Sequence, residues 1–117
     1  MGFLNLRIEL NTKLSELFAK TKAEKRAALI GYLPAGFPSK LESIEFIKAM
    51  IDGGVDAVEV GFPYSDPVMD GPIIQQASEI SLQNKTKAED VLSLQADVAK
   101  LNVPAVVMSY WNPIERY

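Results

Sequence analysis

The stretch Val58-Glu59-Val60-Gly61-Phe62-Pro63-Tyr64-Ser65-Asp66-Pro67-Val68-Met69-Asp70-Gly71 runs a short apolar strand straight into a turn rich in glycine and proline. It places one carboxylate inside the strand and two more on the turn. Burying an ionised carboxylate costs on the order of several kcal/mol unless it is paired or hydrogen-bonded, so Glu59 between Val58 and Val60 needs a reason. Catalysis is one such reason, and pairing with a Lys or Arg, or capping of the strand end, is the other.

Side chains alternate faces along a strand, so Val55, Ala57 and Glu59 share one side while Asp56, Val58 and Val60 share the other. If the valine side packs on helices, Glu59 points the opposite way, near the C-terminal end of its strand. Pro63, Pro67 and Pro72 restrict the loop and so limit where Asp66 and Asp70 can point. Asp70 also stands where it could cap a helix starting near Pro72, a position where negative charge gains about 0.3–1 kcal/mol from the helix dipole. Three carboxylates this close in sequence could alternatively gather oxygen ligands for Mg²⁺.

The same pattern recurs along the rest of the chain. Leu10, Leu14, Leu17 and Phe18 give residues 11–24 the spacing of a leading amphipathic helix, whose Lys20, Lys22, Lys25 and Arg26 read as a solvated face at its end. An apolar run over 27–33 predicts a first strand, closed by Pro34-Ala35-Gly36-Phe37-Pro38. Residues 39–52 return to helical spacing, with Ser39 as N-cap and Gly53-Gly54 as the stop. A second strand is expected over 55–60, helices over 72–84 and 86–100, and a third strand over 103–109. Tyr110-Trp111-Asn112-Pro113 reads as a closing loop.

The order is therefore a helix and then repeated strand-to-helix units within a single domain, residues 1–117. The strands are nearly continuous apolar runs, which is the mark of parallel strands covered on both faces in α/β folds. Crossovers of this kind build either an open doubly wound sheet or a closed eight-stranded barrel, and no Gly-x-Gly-x-x-Gly follows a strand, which counts against a dinucleotide fold. If the sheet is that of a barrel, which takes about 250 residues, these 117 would hold only about its first three β/α units. The third strand is then expected to present an unpaired apolar edge.

Bulk composition narrows the chemistry. The chain is 48% apolar and 23% charged, with net charge −3, and its lysines form no continuous basic face for a nucleic acid. With no Cys and no His, chemistry must run on carboxylates, Tyr, Lys, Ser and backbone dipoles. No apolar run approaches the roughly 20 residues of a membrane span, and Met1–Arg7 lacks the pattern of a secretion signal, so a cytoplasmic location is expected. Tyr32, Tyr64, Met108, Tyr110 and Trp111 fall at or near strand ends, where a planar apolar substrate could be gripped.

The segments Ala28-Leu29-Ile30-Gly31-Tyr32-Leu33-Pro34-Ala35-Gly36, Val58-Glu59-Val60-Gly61, Ser65-Asp66-Pro67, Asp70-Gly71-Pro72 and Tyr110-Trp111-Asn112-Pro113 closely resemble the tryptophan synthase α chain family. The resemblance runs from about Ala27 onward. It implies a (β/α)8 TIM barrel and a carbon-carbon lyase that cleaves indole-3-glycerol phosphate to indole and glyceraldehyde 3-phosphate, with no metal or cofactor of its own. By similarity Glu59 and Asp70 would be catalytic, Glu59 as acid and base and Asp70 as acceptor of the indole N–H. Tyr32, Met108 and Tyr110 would line the substrate pocket.

The resemblance also implies a partner, the β chain of an α2β2-type assembly, which carries pyridoxal phosphate and receives the indole. Asp66, Pro67 and Asn112 would face it. The alternative to a lyase is a non-catalytic interaction module that docks on the β chain through the same loop. A Schiff-base aldolase is a weaker alternative, because none of these strands offers a buried lysine.

Overall fold

The computed structural model describes the backbone of residues 2–115 and the side chains of residues 13–115. In chain order the elements are α1 (Gly2–Ala23), β1 (Ile30–Pro34), α2 (Lys40–Asp52), β2 (Ala57–Gly61), α3 (Pro72–Gln83), α4 (Ala88–Ala99), β3 (Ala105–Met108) and α5 (Trp111–Glu115). The strands form one parallel sheet in the order β1-β2-β3.

The strands are shorter than their apolar runs, and hydrogen bonding explains why. Residues 27–29 do not join the ladder. The Arg26 guanidinium donates to the Ala27 carbonyl, and Asp56 accepts from the Leu29 N–H at 2.8 Å. At the start of β2 the Val55 N–H turns back to the Met50 carbonyl, so pairing begins at Ala57 rather than at 55. Gly61 extends the strand instead, paired with Pro34 on one side and Met108 on the other. Pro104 has no N–H to donate, and β3 begins after it.

One face of the sheet is covered by helices. Val58 and Val60 are fully buried with Ile47 of α2 and with Val91 and Val98 of α4, and Leu33, Ala105 and Val107 pack against them. The helices are set by local signals. Ser39 Oγ accepts from the Glu42 N–H, capping α2, an arrangement worth about 1 kcal/mol. At α4 the Asp90 carboxylate accepts from the Lys87 N–H and pairs with Lys40, and both hold its pKa below the ordinary range.

The opposite face of the sheet is the more open one, although Ala57 and Pro34 are buried on it. Tyr32, Glu59 and Val106 form one row across it and Pro34, Gly61 and Met108 the next, because residues paired in a parallel ladder point to the same side. Val106 is 40% exposed and Met108 55%. Among the described residues both β1 and β3 are edge strands, so the unpaired edge expected at β3 has a counterpart at β1.

Beyond the strand ends, three expectations are corrected or refined. The helical leader extends from Gly2 to Ala23 rather than over 11–24, and Phe18 of its apolar stripe is half exposed; the Leu10 side chain lies outside the described residues. Arg26 is exposed, as the solvated face at the helix end requires, but it is also paired: it forms a bidentate pair with Asp56 at 2.8 and 3.0 Å and bonds Glu24 at 2.6 Å. Residues 111–115 are the short helix α5, not a loop continuing from Tyr110. Among the described residues no helix is long and apolar enough to cross a membrane.

Candidate active site

Strand alternation puts Tyr32 and Glu59 side by side on the open face, one row below the strand ends. The Tyr32 ring leans from its own row over Gly61 in the next, where the missing Cβ leaves room: a Cβ there would sit 2.5 Å from Tyr32 Cζ. Burial, and then the charges of Asp70 and Glu59, push the Tyr32 phenol up to about 12, with a smaller contribution from Tyr110. Tyr32 therefore stays protonated as a donor throughout the neutral range. The Glu59 carboxylate has no hydrogen-bond or ion-pair partner among the described residues, so the paired-ion explanation for its place in the strand does not apply there.

Above these rows the loop between β2 and α3 folds over the strand ends. Tyr32, Phe62, Met69, Asp70, Met108, Ser109 and Tyr110 line a cavity of about 340 Å³, a size suited to a small planar molecule. Four of the residues singled out in the sequence, Tyr32, Asp70, Met108 and Tyr110, thus meet in one space. Glu59 is not part of that lining but lies beside Tyr32 across the β1–β2 pairing. Phe62, Met69 and Ser109 were missed: Phe62 directly follows Gly61, the observed end of β2, Met69 directly precedes Asp70, and Ser109 directly follows Met108, the end of β3.

Asp70 does not cap the following helix. Gly71 occupies the N-cap position of α3, and no side chain among the described residues bonds the first-turn amides there. Nor do three acidic side chains gather as a metal site among the described residues. The Asp70 carboxylate is left without a hydrogen-bond partner among the described residues while its backbone is held: its N–H donates to the Pro67 carbonyl at 3.0 Å, and its carbonyl accepts from Gln75 Nε2 at 2.7 Å.

The loop is also tied to the end of β3. The Met69 N–H donates to the Tyr110 hydroxyl at 2.8 Å, Asn112 Nδ2 donates to the Tyr64 hydroxyl at 2.9 Å, and the two tyrosine rings lie 5.3 Å apart at 37°. Asp66, Pro67 and Asn112 stay outside the cavity lining. Val68 and Met69, at the tip of the same loop, are 70% and 85% exposed.

A larger hollow of about 530 Å³ lies at the other end of the strands, between α1 and the segments leading into β2 and β3. It includes Lys13, Lys20 and Asp56, but Asp56 is committed to Arg26. In parallel β/α sheets chemistry is built at the C-terminal strand ends, so the smaller cavity is the candidate site.

Residues 18–117 match the family described as Tryptophan synthase alpha chain. The tryptophan synthase alpha chain of Thermobifida fusca (strain YX) is 56% identical over 106 residues, which cover 91% of this chain and 39% of that one. The Streptomyces coelicolor protein of the same name is 50% identical over 105 residues, covering 89% and 39%. Among solved structures, tryptophan synthase from M. tuberculosis in its aminoacrylate-bound form aligns with a TM-score of 0.86 at 44% identity, over 90% of this chain and 43% of that chain. Tryptophan synthase subunit alpha from Legionella pneumophila str. Paris aligns at 0.84 and 33% identity, over 90% and 41%.

The chain spans about two fifths of the length of these relatives. Its fold class is that of the β/α TIM barrels, represented here by three strand units. With the family matched from residue 18 to residue 117 and the backbone following its solved members, this chain belongs to the tryptophan synthase alpha chain family.

Proposed function

We propose that these residues supply the acid-base half of a lyase site that cleaves indole-3-glycerol phosphate to indole and glyceraldehyde 3-phosphate. The observation that carries the reading is the convergence of Tyr32, Asp70, Met108 and Tyr110 on one cavity beside Glu59, at the C-terminal ends of the strands, in a chain of this family.

The reaction must expel an indole. Protonation of the indole carbon that bears the glycerol chain places positive charge on the ring. Loss of the proton from the adjacent hydroxyl then lets that carbon-carbon bond break, its electrons returning to the ring and the hydroxyl carbon becoming the aldehyde. In this reading Glu59 handles the protons, its carboxylate having no partner among the described residues. Asp70 accepts the ring N–H and stabilises the charge as it develops, which is an electrostatic contribution made chiefly in the transition state. Met108 and the Tyr32 and Tyr110 rings supply apolar walls.

This chemistry asks for no metal and no cofactor in this chain. The partner in this reading is a β chain carrying pyridoxal phosphate, met by Asp66, Pro67 and Asn112. A phosphorylated substrate that does not cross membranes unaided fits a cytoplasmic setting. The second reading, docking on the β chain without turnover, is favoured by the exposure of Val68 and Met69 on the loop tip.

The test is made in a chain of full family length that carries these residues. Glu59→Gln is expected to lower indole release by roughly 10²–10⁴-fold, the range of general acid-base catalysis, while the circular dichroism spectrum is unchanged. Near-normal turnover in that variant would remove Glu59 from the chemistry. If the parent chain lacks turnover yet alters β-chain activity on titration, docking is the function.

A further inference from the structure

We propose that Gln75 is a positioning residue for Asp70, holding the loop backbone so that the carboxylate stays unpaired at the cavity. The proposal rests on the role given to Asp70 above. Gln75 lies in the first turns of α3, where its own N–H bonds the Gly71 carbonyl. From there its side-chain Nε2 reaches back to two backbone carbonyls, Asp70 at 2.7 Å and Pro67 at 3.4 Å. Two carbonyls facing one amide select its NH2 end, because only that end donates.

The same turn is closed from inside by the Asp70 N–H on the Pro67 carbonyl and by the Val68 N–H on the Asp66 carbonyl, at 3.0 and 2.9 Å. On the far side Tyr110 accepts from the Met69 N–H. The segment 66–70 is thus held through its main chain from α3 and from the end of β3. None of these bonds uses the Asp70 carboxylate, whose charge instead reaches Tyr32.

That division matters physically. A short acidic side chain beside a helix N-terminus ordinarily turns to accept from the first amides of the helix. Here the backbone is fixed with Gly71 at the cap, so the carboxylate is free to accept from a ligand. Removing the Gln75 donor leaves the Asp70 carbonyl to water and the Pro67 carbonyl with the Asp70 N–H alone, and frees the turn to rotate toward the capping geometry. A displacement of about 1 Å in a reacting group can cost on the order of 10²-fold in rate.

The experiment is a double-mutant cycle in a chain of full family length, reading indole release with the melting temperature as the folding control. Gln75→Met keeps side-chain length and helix propensity but cannot donate, and Gln75→Glu is a second variant should the first fold poorly. The expected result is a roughly ten- to hundredfold loss for Gln75→Met, and no further loss when it is added to Asp70→Asn. That non-additivity is the signature of action through Asp70, which a purely structural residue would not give. A Gln75→Met rate within twofold of the parent, or losses that multiply with those of Asp70→Asn, would overturn the proposal alone. An Asp70→Asn chain with the parent's rate would overturn the role of Asp70 and the proposal with it.

Discussion

The ring of Tyr32 occupies the space that a side chain at Gly61 would fill: a Cβ there would lie 2.5 Å from Cζ and 2.8 Å from Cε2 of the tyrosine. The pair joins β1 to β2 at the row directly below the cavity. It also makes Gly61 a requirement of the site rather than of the backbone, since the Gly61 φ is not in the left-handed region. Gly61→Ala is expected to push the ring into the cavity, costing about 1–3 kcal/mol of stability as overpacking does. Ligand affinity should fall with it. Urea unfolding reads the first and indole titration the second; an alanine variant that binds indole as the parent does would show that the ring has another resting place.

Tyr110 anchors the loop by accepting from the Met69 N–H. Tyr110→Phe keeps the ring against Tyr64 and removes only the acceptor. A hydrogen bond of this kind contributes about 0.5–1.5 kcal/mol, so amide exchange at Met69 should quicken by roughly the corresponding factor while exchange in α4 stays the same. Uniform quickening throughout the chain would mean that the hydroxyl supports the whole fold instead of the loop.

The Arg26–Asp56 pair, reinforced by the Leu29 N–H, holds the Asp56 carboxyl down at about 2, and raises the Arg26 guanidinium above its already high value. A carboxylate whose folded pKa lies below its unfolded one adds stability that is complete above the unfolded value and is lost as pH falls toward the folded one. Melting temperature should therefore drop between about pH 4 and pH 2 in part through Asp56. The Asp56→Asn variant should start lower at neutral pH and show a shallower acid decline. Parallel acid profiles for parent and variant would remove Asp56 from that transition.

The loop after β1 is braced from behind by a polar cluster. Ser43 Oγ accepts from the Gly36 N–H at 2.7 Å, Ser81 donates to the Ala35 carbonyl, and Asn84 Nδ2 donates to the Gly36 and Pro38 carbonyls at 3.1 and 2.7 Å. Gly36 has φ +82°, and a Cβ on it would approach Ser81 Oγ at 2.7 Å. Gly36→Ala should cost about 1–3 kcal/mol from the backbone alone, and more from the crowding. Nearby, the buried Thr86 hydroxyl has no partner among the described residues. Replacing it in Thr86→Val should leave stability level or raise it by about 1 kcal/mol. Chemical denaturation of the two variants checks both signs.

Local signals carried much of this molecule. The apolar runs, the Ser39 cap, the Gly53 stop and the proline-glycine turns located the elements because each is a short-range steric or hydrogen-bonding preference. Alternation along 55–60 put Glu59 opposite the valines, and the sheet keeps it there, with Val58 and Val60 in the core. Strand ends slipped by up to three residues, since Arg26 and Asp56 stand 30 residues apart and their pairing removes residues 27–29 from the ladder.

The sequence alone determined which residues carry charge and aromatic surface, the strand-helix order, and the side of β2 on which Glu59 sits, all consequences of residue type and of a period of two. Tertiary structure decided what those residues meet. Tyr32 lies over Gly61 only because β1 and β2 pair in parallel with Tyr32 beside Glu59. The turn before α3 is held by its backbone from Gln75, Pro67 and Tyr110, while the Asp70 carboxylate has no partner among the described residues. Such contacts join residues through space, where register and loop closure set the distances, and no local periodicity encodes them.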